Sequence, residues 1–203
     1  MPDYIMAKVY DFLLFPLVYP VRRAILRIVK KNRYKKLLDV CCGTGNQLKY
    51  LHTAGYSETI IGMDISRPML NVARKGLFSG NCFLGDAEQM PFCGADFDMT
   101  MISFALHEKK RPSAVAIFKE MIRVTKEKGH IILVDFSLGP SVPFVVRQLI
   151  RFLEFMAGKD HFGCFKQYCN TGGLDALCGD VPLTEIERQT IFFKAFTLRV
   201  FEK

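Results

Sequence analysis

LLDVCCGTGNQ, residues Leu37 to Gln47, decides the fold. A run of strand formers breaks there into Gly43-Thr44-Gly45, and a helical pattern follows. Glycines at a strand-to-helix turn let a ligand approach the backbone, and the exposed N–H groups meet negative charge. The dinucleotide fingerprint G-x-G-x-x-G wants a third glycine where Leu48 stands, and a phosphate loop wants Gly-Lys followed by Ser or Thr; this chain has neither. The turn therefore reads as a site for a ligand that carries no pyrophosphate.

Outward from the turn, short apolar runs alternate with longer helical patterns, and no internal repeat interrupts them, which favours βαβ units around a parallel sheet. Strands are predicted at Lys36–Cys41, Thr59–Met63, Cys82–Leu84, Phe97–Phe104 and Ile131–Phe136. Helices are predicted between them at Gln47–Ala54, Pro68–Lys75 and Ser113–Lys126, the last with Ala114, Ile117, Met121 and Val124 on one stripe. Ser66 is a suitable N-cap with Pro68 in the first turn, and Gly129 is expected to end the long helix as a left-handed cap. Further on, Pro143 to Ala157 reads as an aromatic-rich amphipathic helix, Gly158 to Gly173 as a loop and Leu174 to Cys178 as a short helix. Two closing strands, Thr184–Phe193 and Phe196–Glu202, are separated by Lys194 and Ala195 and should pair as an antiparallel hairpin. The expected fold class is α/β, a doubly wound seven-stranded Rossmann-like sheet whose last strand runs against the rest.

Three acids follow the turn at telling positions. Asp39 closes the first strand; Asp64, about 20 residues beyond the glycines, is placed to accept hydrogen bonds from ribose hydroxyls; Asp86 follows the third strand on the same edge of the sheet. A ribose acceptor and an amino-group acceptor without a phosphate grip describe an adenosine that bears no pyrophosphate. In order along the chain, VYDFLL, LLDVCCGTGN, GMDISRPML, GDAEQMPF, FDMTMISFALHE and EMIRVTKEKGHIILVDFS resemble the successive blocks of the class I S-adenosylmethionine-dependent methyltransferases. Within that family the resemblance is to the branch of ubiquinone and menaquinone C-methyltransferases (methyltransferase type 11), and it runs from about Tyr10 to Phe136.

The resemblance implies S-adenosyl-L-methionine as cofactor, with Asp39, Gly43 and Gly45 shaping the methionine-binding turn and Asp64 taking the ribose hydroxyls. It implies Ile65 and Met69 beside the adenine, Asp86 accepting the adenine amino group with help from the Ala87 backbone, and Ser103 and Phe104 below the reactive methyl. Cys41 departs from the family pattern, which has glycine or alanine there, and narrows the turn. Methyl transfer from a sulfonium is an in-line displacement that mainly needs positioning and exclusion of water, and it requires no metal. Where an acceptor must lose a proton, the candidate bases are His107, His161 and Tyr168. His161, Cys164, Cys169 and Cys178 match no paired zinc spacing, so no metal site is expected. Adjacent Cys41 and Cys42 read as packing residues on a buried strand. The other classes to be weighed are a non-catalytic cofactor-binding or scaffold protein and a nicotinamide-dependent oxidoreductase, against which the missing third glycine counts.

At 203 residues, 50% hydrophobic and 24% charged, the chain has the composition of one folded domain: residues 1–36 as a helical lid, 37–136 as the cofactor-binding core, and 137–203 as acceptor-side helices and a closing hairpin. The net charge of +8 is local. Arg22, Arg23, Arg27, Lys30, Lys31, Arg33, Lys35 and Lys36 form a block with no acid between Phe12 and Leu38, and without it 20 bases face 20 acids. A block directly after an apolar, Pro-containing stretch does not describe a nucleic-acid surface. It is either a solvated helix face or, with aromatic residues from Tyr4 onward, one side of a lid that contacts a membrane surface and an apolar small-molecule acceptor. Phe144, Phe152, Phe155, Phe162 and Phe165 are expected to add an apolar wall to that pocket. Phe12–Val21 is about half the length of a transmembrane helix, and no export signal precedes it. The seven cysteines then read as reduced thiols of a cytoplasmic protein, peripheral to the membrane at most.

Overall fold

The computed structural model describes residues 2–56, 58–75, 81–179, 181 and 183–203; the side chains of 2–15, and with them the Tyr4 to Phe15 half of the expected lid, lie outside the described residues. Seven strands form one sheet: β1 (Lys36–Val40), β2 (Thr59–Asp64), β3 (Cys82–Leu84), β4 (Phe97–Ser103), β5 (Thr125–Phe136), β6 (Thr184–Ile191) and β7 (Phe196–Glu202). Their spatial order is β3-β2-β1-β4-β5-β7-β6. β1 to β5 are parallel, and β7 lies antiparallel between β5 and β6. The central strands read as unbroken apolar runs because both their faces are covered: Leu37, Leu38, Met99, Met101, Ile102 and Ile131 to Val134 have no exposed surface.

The helices are α1 (Pro2–Asn32), α2 (Asn46–Thr53), α3 (Arg67–Ala73), α4 (Arg111–Val124), α5 (Phe144–Met156), α6 (Lys159–Asn170) and α7 (Gly173–Cys178), with a single 3-10 turn at Leu106–Glu108 after β4. From Leu17 onward α1 buries Leu17, Val21, Ala24, Ile25, Ile28 and Val29, one helical stripe, against the protein. Arg23, Arg27, Lys30 and Lys31 occupy its outer face in solvent. Ser66 caps α3 by accepting the Met69 N–H at 3.4 Å, with proline in the first turn as expected.

Several predicted ends move, for one backbone reason. Cys41 (φ 55°) and Phe104 (φ 54°) are left-handed, so β1 stops at Val40 and β4 at Ser103, one residue before each predicted end. Phe192, Phe193 and Lys194 are also left-handed, so β6 ends at Ile191 and the hairpin loop has the four residues 192–195, not two. Gly129 does not cap α4. The helix ends at Val124, Lys128 takes the positive φ of 61°, and Gly129 lies inside β5, where a Cβ would meet Thr125 Cγ2 at 2.7 Å and the Lys126 carbonyl at 2.8 Å. The stretch 159–170, expected to be a loop, is α6. Glycine and polar residues mask its pattern, but Phe165 and Tyr168, three apart, give it a buried edge.

Candidate active site at the carboxyl edge of the sheet

The chain order reverses between β1 and β4, β1 running on to β2 at one side while β4 and β5 occupy the other. At such a switch the loops after adjacent strands separate and leave a crevice at the carboxyl ends. The turn 41–45 lies there. Asp64, at the end of β2, fastens it: one carboxylate oxygen accepts the Gly43 N–H at 2.7 Å and the other accepts the Ser66 N–H at 2.8 Å. The turn is closed by Gly45 N–H to the Cys42 carbonyl at 2.9 Å and tied to β2 by Cys42 N–H to the Met63 carbonyl at 3.0 Å.

The glycines do different work. Gly43 (φ 55°) has nothing within 4 Å of where a Cβ would be, so the space above it is open. Gly45 (φ 72°) packs on α3, where an added Cβ would meet that of Ala73 at 3.0 Å. Asp39 is buried beneath the turn, and burial, reinforced by the Asp64 carboxylate, holds its carboxyl well above the usual range. Burial pushes the Cys41 thiol up to about 12, with Asp64 again adding to the effect; the charges of Glu108 and Lys109 also reach that thiol.

Around the turn, Ile65 is 62% exposed, an uncommon state for isoleucine beside a crevice, while Met69 is half-buried on α3. Asp86 is exposed and accepts the Glu88 N–H at 2.9 Å with one oxygen, Ala87 is buried, and Ser103 and Phe104 are half-buried at the end of β4. The Phe104 ring packs edge-on to Phe196 at 4.9 Å and against Phe136 at 5.5 Å. The structure thus gathers Asp39, Cys41, Gly43, Gly45, Asp64, Ile65, Met69, Asp86, Ala87, Ser103 and Phe104 along one edge, at the ends of β1 to β4.

The three candidate bases lie beyond β4, His107 in the Leu106–Glu108 turn and His161 and Tyr168 on α6. Tyr168 is buried, its hydroxyl donates to the Phe136 carbonyl at 3.4 Å, and burial holds its pKa well above the ordinary value. His107 is 2% exposed; Nδ1 lies 2.7 Å from Asp135 and Nε2 3.3 Å from Glu154. Burial opposes its charge, but Asp135 and Glu154 prevail and raise it to about 10. His161, one fifth exposed at its side chain, sits between Glu154 (2.5 Å) and Glu108 (3.4 Å), which likewise overcome burial and raise it to about 9. No imidazole nitrogen here is left without a carboxylate. Sequence reading missed Asp135, Glu154 and Glu108. Two carry a visible signal: Asp135 interrupts the apolar run IILVDF, and Glu154 is the one acid in FVVRQLIRFLEFM.

Residues 37–129 match the family model of a methyltransferase domain. A demethylmenaquinone methyltransferase of Geobacillus stearothermophilus is 32% identical over 157 residues, 72% of this chain and 65% of the relative. Over these residues the chain is similar to S-adenosylmethionine-dependent methyltransferases. It spans a little under two thirds of the length of that relative. The fold agrees with solved methyltransferases: an O-methyltransferase family protein of Burkholderia thailandensis superposes with a TM-score of 0.73 at 15% identity, over 97% of this chain and 59% of that one. A SAM-dependent methyltransferase of Aquifex aeolicus gives 0.59 at 16% identity, over 87% and 88%.

The residues at this edge fit S-adenosylmethionine, the cofactor that the similarity implies. The open space above Gly43 admits a ligand against the backbone. Gln47, in the first turn of α2, is 7% exposed, and its Nε2 has no partner among the described residues, the kind of unmet donor that a bound carboxylate satisfies.

Proposed function

We propose that this methyltransferase transfers the methyl group of S-adenosylmethionine to a small apolar acceptor of the quinone-precursor or lipid kind. The observation that carries the reading is the Asp64 carboxylate held by the Gly43 and Ser66 N–H groups beside the open space at Gly43. The two N–H groups fix both oxygens while leaving each a lone pair for a ribose hydroxyl. In this reading Ile65 and Met69 cover the adenine, Asp86 accepts its amino group with its second oxygen beside the Ala87 backbone, and Asp39, Cys41, Gly43 and Gly45 shape the floor for the methionine end. Ser103 and Phe104 lie under the reactive methyl.

Bound cofactor supplies an activated methyl on a sulfonium. The chain supplies orientation and dryness, which is where most of the rate of such a displacement comes from. His107 and Tyr168 are sealed and already bonded, so neither meets an acceptor proton directly; His161 stands at the exposed end of their network.

The acceptor side supports an apolar substrate. Phe144, Val145, Leu149, Phe152, Phe155 and Met156 of α5 are exposed, with Arg151 and, at the start of α6, Lys159 exposed beside them. An apolar helix face edged with cations suits the interface of an anionic lipid layer, and no helix among the described residues is long and apolar enough to cross a membrane. The peripheral contact expected of residues 4–36 is thereby extended to α5. From Leu17 onward most of the apolar side of α1 is spent on the protein core, and its basic face remains outside with Tyr19.

Incubating the protein with methyl-labelled S-adenosylmethionine and a whole-cell extract, then partitioning the label, tests the reading. Label in the organic phase supports a quinone or lipid acceptor; label in the aqueous phase alone overturns the apolar acceptor. Slow conversion to S-adenosylhomocysteine with every extract would favour a cofactor-binding scaffold. Co-sedimentation with anionic vesicles that is lost at high salt supports the membrane contact, and sedimentation unchanged by vesicles removes it.

A further inference from the structure

Two imidazoles and three carboxylates meet where the Leu106–Glu108 turn, β5, α5 and α6 come together. Asp135 accepts the backbone N–H groups of Leu106, His107 and Phe136 at 3.0, 3.0 and 2.8 Å, so its oxygens act as acceptors and the His107 Nδ1 facing it at 2.7 Å carries the proton. His161 Nδ1 faces Glu108 in the same sense at 3.4 Å. With each Nδ1 turned to an acid, both Nε2 atoms point at one oxygen of Glu154, 3.3 Å from His107 and 2.5 Å from His161. A ring protonated at Nδ1 alone presents a lone pair at Nε2. Two ring nitrogens and a carboxylate oxygen therefore converge on one point, walled by Phe136, Phe165 and Tyr168. Without a metal, Nε2–H protons fill that point; a metal ion would displace them and take up the two ring lone pairs.

We propose that His107, Glu154 and His161 form a binding site for one divalent first-row transition-metal ion, with zinc the ion that suits the donors best. The three ligand atoms lie within 4.8 Å of one another. Donors on a tetrahedral zinc stand ~3.3 Å apart, so the ion asks for shifts of about an ångström. Two imidazoles and one carboxylate are a zinc donor set that leaves a coordination position open. Asp135 and Glu108 complete it as the outer carboxylates that orient metal-binding imidazoles. Magnesium and calcium prefer oxygen donors throughout and are not favoured. The Leu106–Glu108 turn begins two residues after Phe104, beyond the end of β4, and an open position on that side would lie toward the acceptor. There an acceptor oxygen or sulfur would bind; this last clause rests on the methyl-transfer reading, whereas the metal site itself does not.

The test uses the 203-residue chain, stripped with a chelator and titrated with cobalt(II), whose visible absorption reports coordination, then back-titrated with zinc. The expected result is one cobalt per chain, displaced by zinc, with affinity at least about tenfold weaker in His161→Gln and Glu154→Gln. Calorimetric binding of S-adenosylmethionine and circular dichroism are followed in both variants. His161→Gln, at the exposed end of the cluster, keeps the test open should the buried Glu154→Gln not fold. His52→Gln, on α2, should leave metal binding unchanged. No bound cobalt or zinc at millimolar metal overturns the site and leaves a proton-filled cluster. Binding that survives both substitutions also overturns it and assigns the metal to the free thiols. Either failure leaves the cofactor assignment standing, since S-adenosylmethionine binding is measured separately.

Discussion

Asp64 is the place where stability and cofactor binding meet, and replacing it separates them. Its carboxylate accepts two backbone N–H groups at 2.7 and 2.8 Å. Hydrogen bonds to a charged acceptor contribute about 1.5–3 kcal/mol each, and the relief of its repulsion with buried Asp39 offsets part of their loss. Asp64→Ala should therefore lower unfolding free energy by about 2–4 kcal/mol in urea titration. Asp64→Asn keeps the shape but turns an NH2 toward one of the two N–H groups, and it removes the ionised acceptor that two ribose hydroxyls would share. Losing about 3 kcal/mol of such bonding weakens binding about 100-fold, which calorimetric titration with S-adenosylmethionine reads directly. Asp64→Asn is the decisive variant because, keeping the side-chain shape, it separates binding from unfolding. A folded Asp64→Asn protein that binds the cofactor within about threefold of the parent would refute the placement of the ribose at this carboxylate.

Cys41 holds a left-handed backbone that costs a side-chain-bearing residue about 1–2 kcal/mol. Cys41→Gly should raise stability by about 1 kcal/mol and Tm by about 2–4 °C, and a fall in Tm on thermal unfolding would count against the strain. With the Cys41 thiol pushed up to about 12, only about one in 10,000 is ionised at pH 8. Iodoacetamide should then label exposed Cys93 well before Cys41, and Cys41 labelling should quicken about tenfold per pH unit above that. Peptide mapping that finds Cys41 modified first would contradict its burial. Gly43→Ala should cost about 1–2 kcal/mol of backbone strain without a clash, yet weaken cofactor binding by far more than Gly45→Ala does per unit of stability lost; equal effects would show that the space above Gly43 is not where the ligand lies.

Much of the sheet was legible because a strand covered on both faces must be apolar at every position, and Leu37–Val40 and Ile131–Val134 are apolar or nearly so throughout. The cofactor edge was legible because its roles fall on residue types that local chemistry restricts: glycine where the backbone is approached, an acid at the end of a strand. What escaped was either a matter of backbone handedness or of distance along the chain. Nothing in their side chains announces that Cys41, Phe104 and Phe192 to Lys194 turn left-handed, yet they set the ends of three strands. α6 stayed hidden because its helical pattern is broken by Gly163 and its buried edge is only two aromatic residues wide. The cluster of His107, Asp135, Glu154 and His161 is assembled from four elements, and only the folded chain brings Glu154 to histidines 47 residues before it and 7 residues after it.

β7 is the last strand in the chain and yet lies inside the sheet, with β5 on one side and β6 on the other. β6 has no other partner. As the polypeptide leaves the ribosome, β1 to β5 can pair in turn, but the outer edge of β5 stays bare and β6 stays unattached until Phe196 to Glu202 emerge. A chain released or cut before Phe196 would offer an open strand edge to other nascent chains, which gives a molecular chaperone one defined interval in which to act.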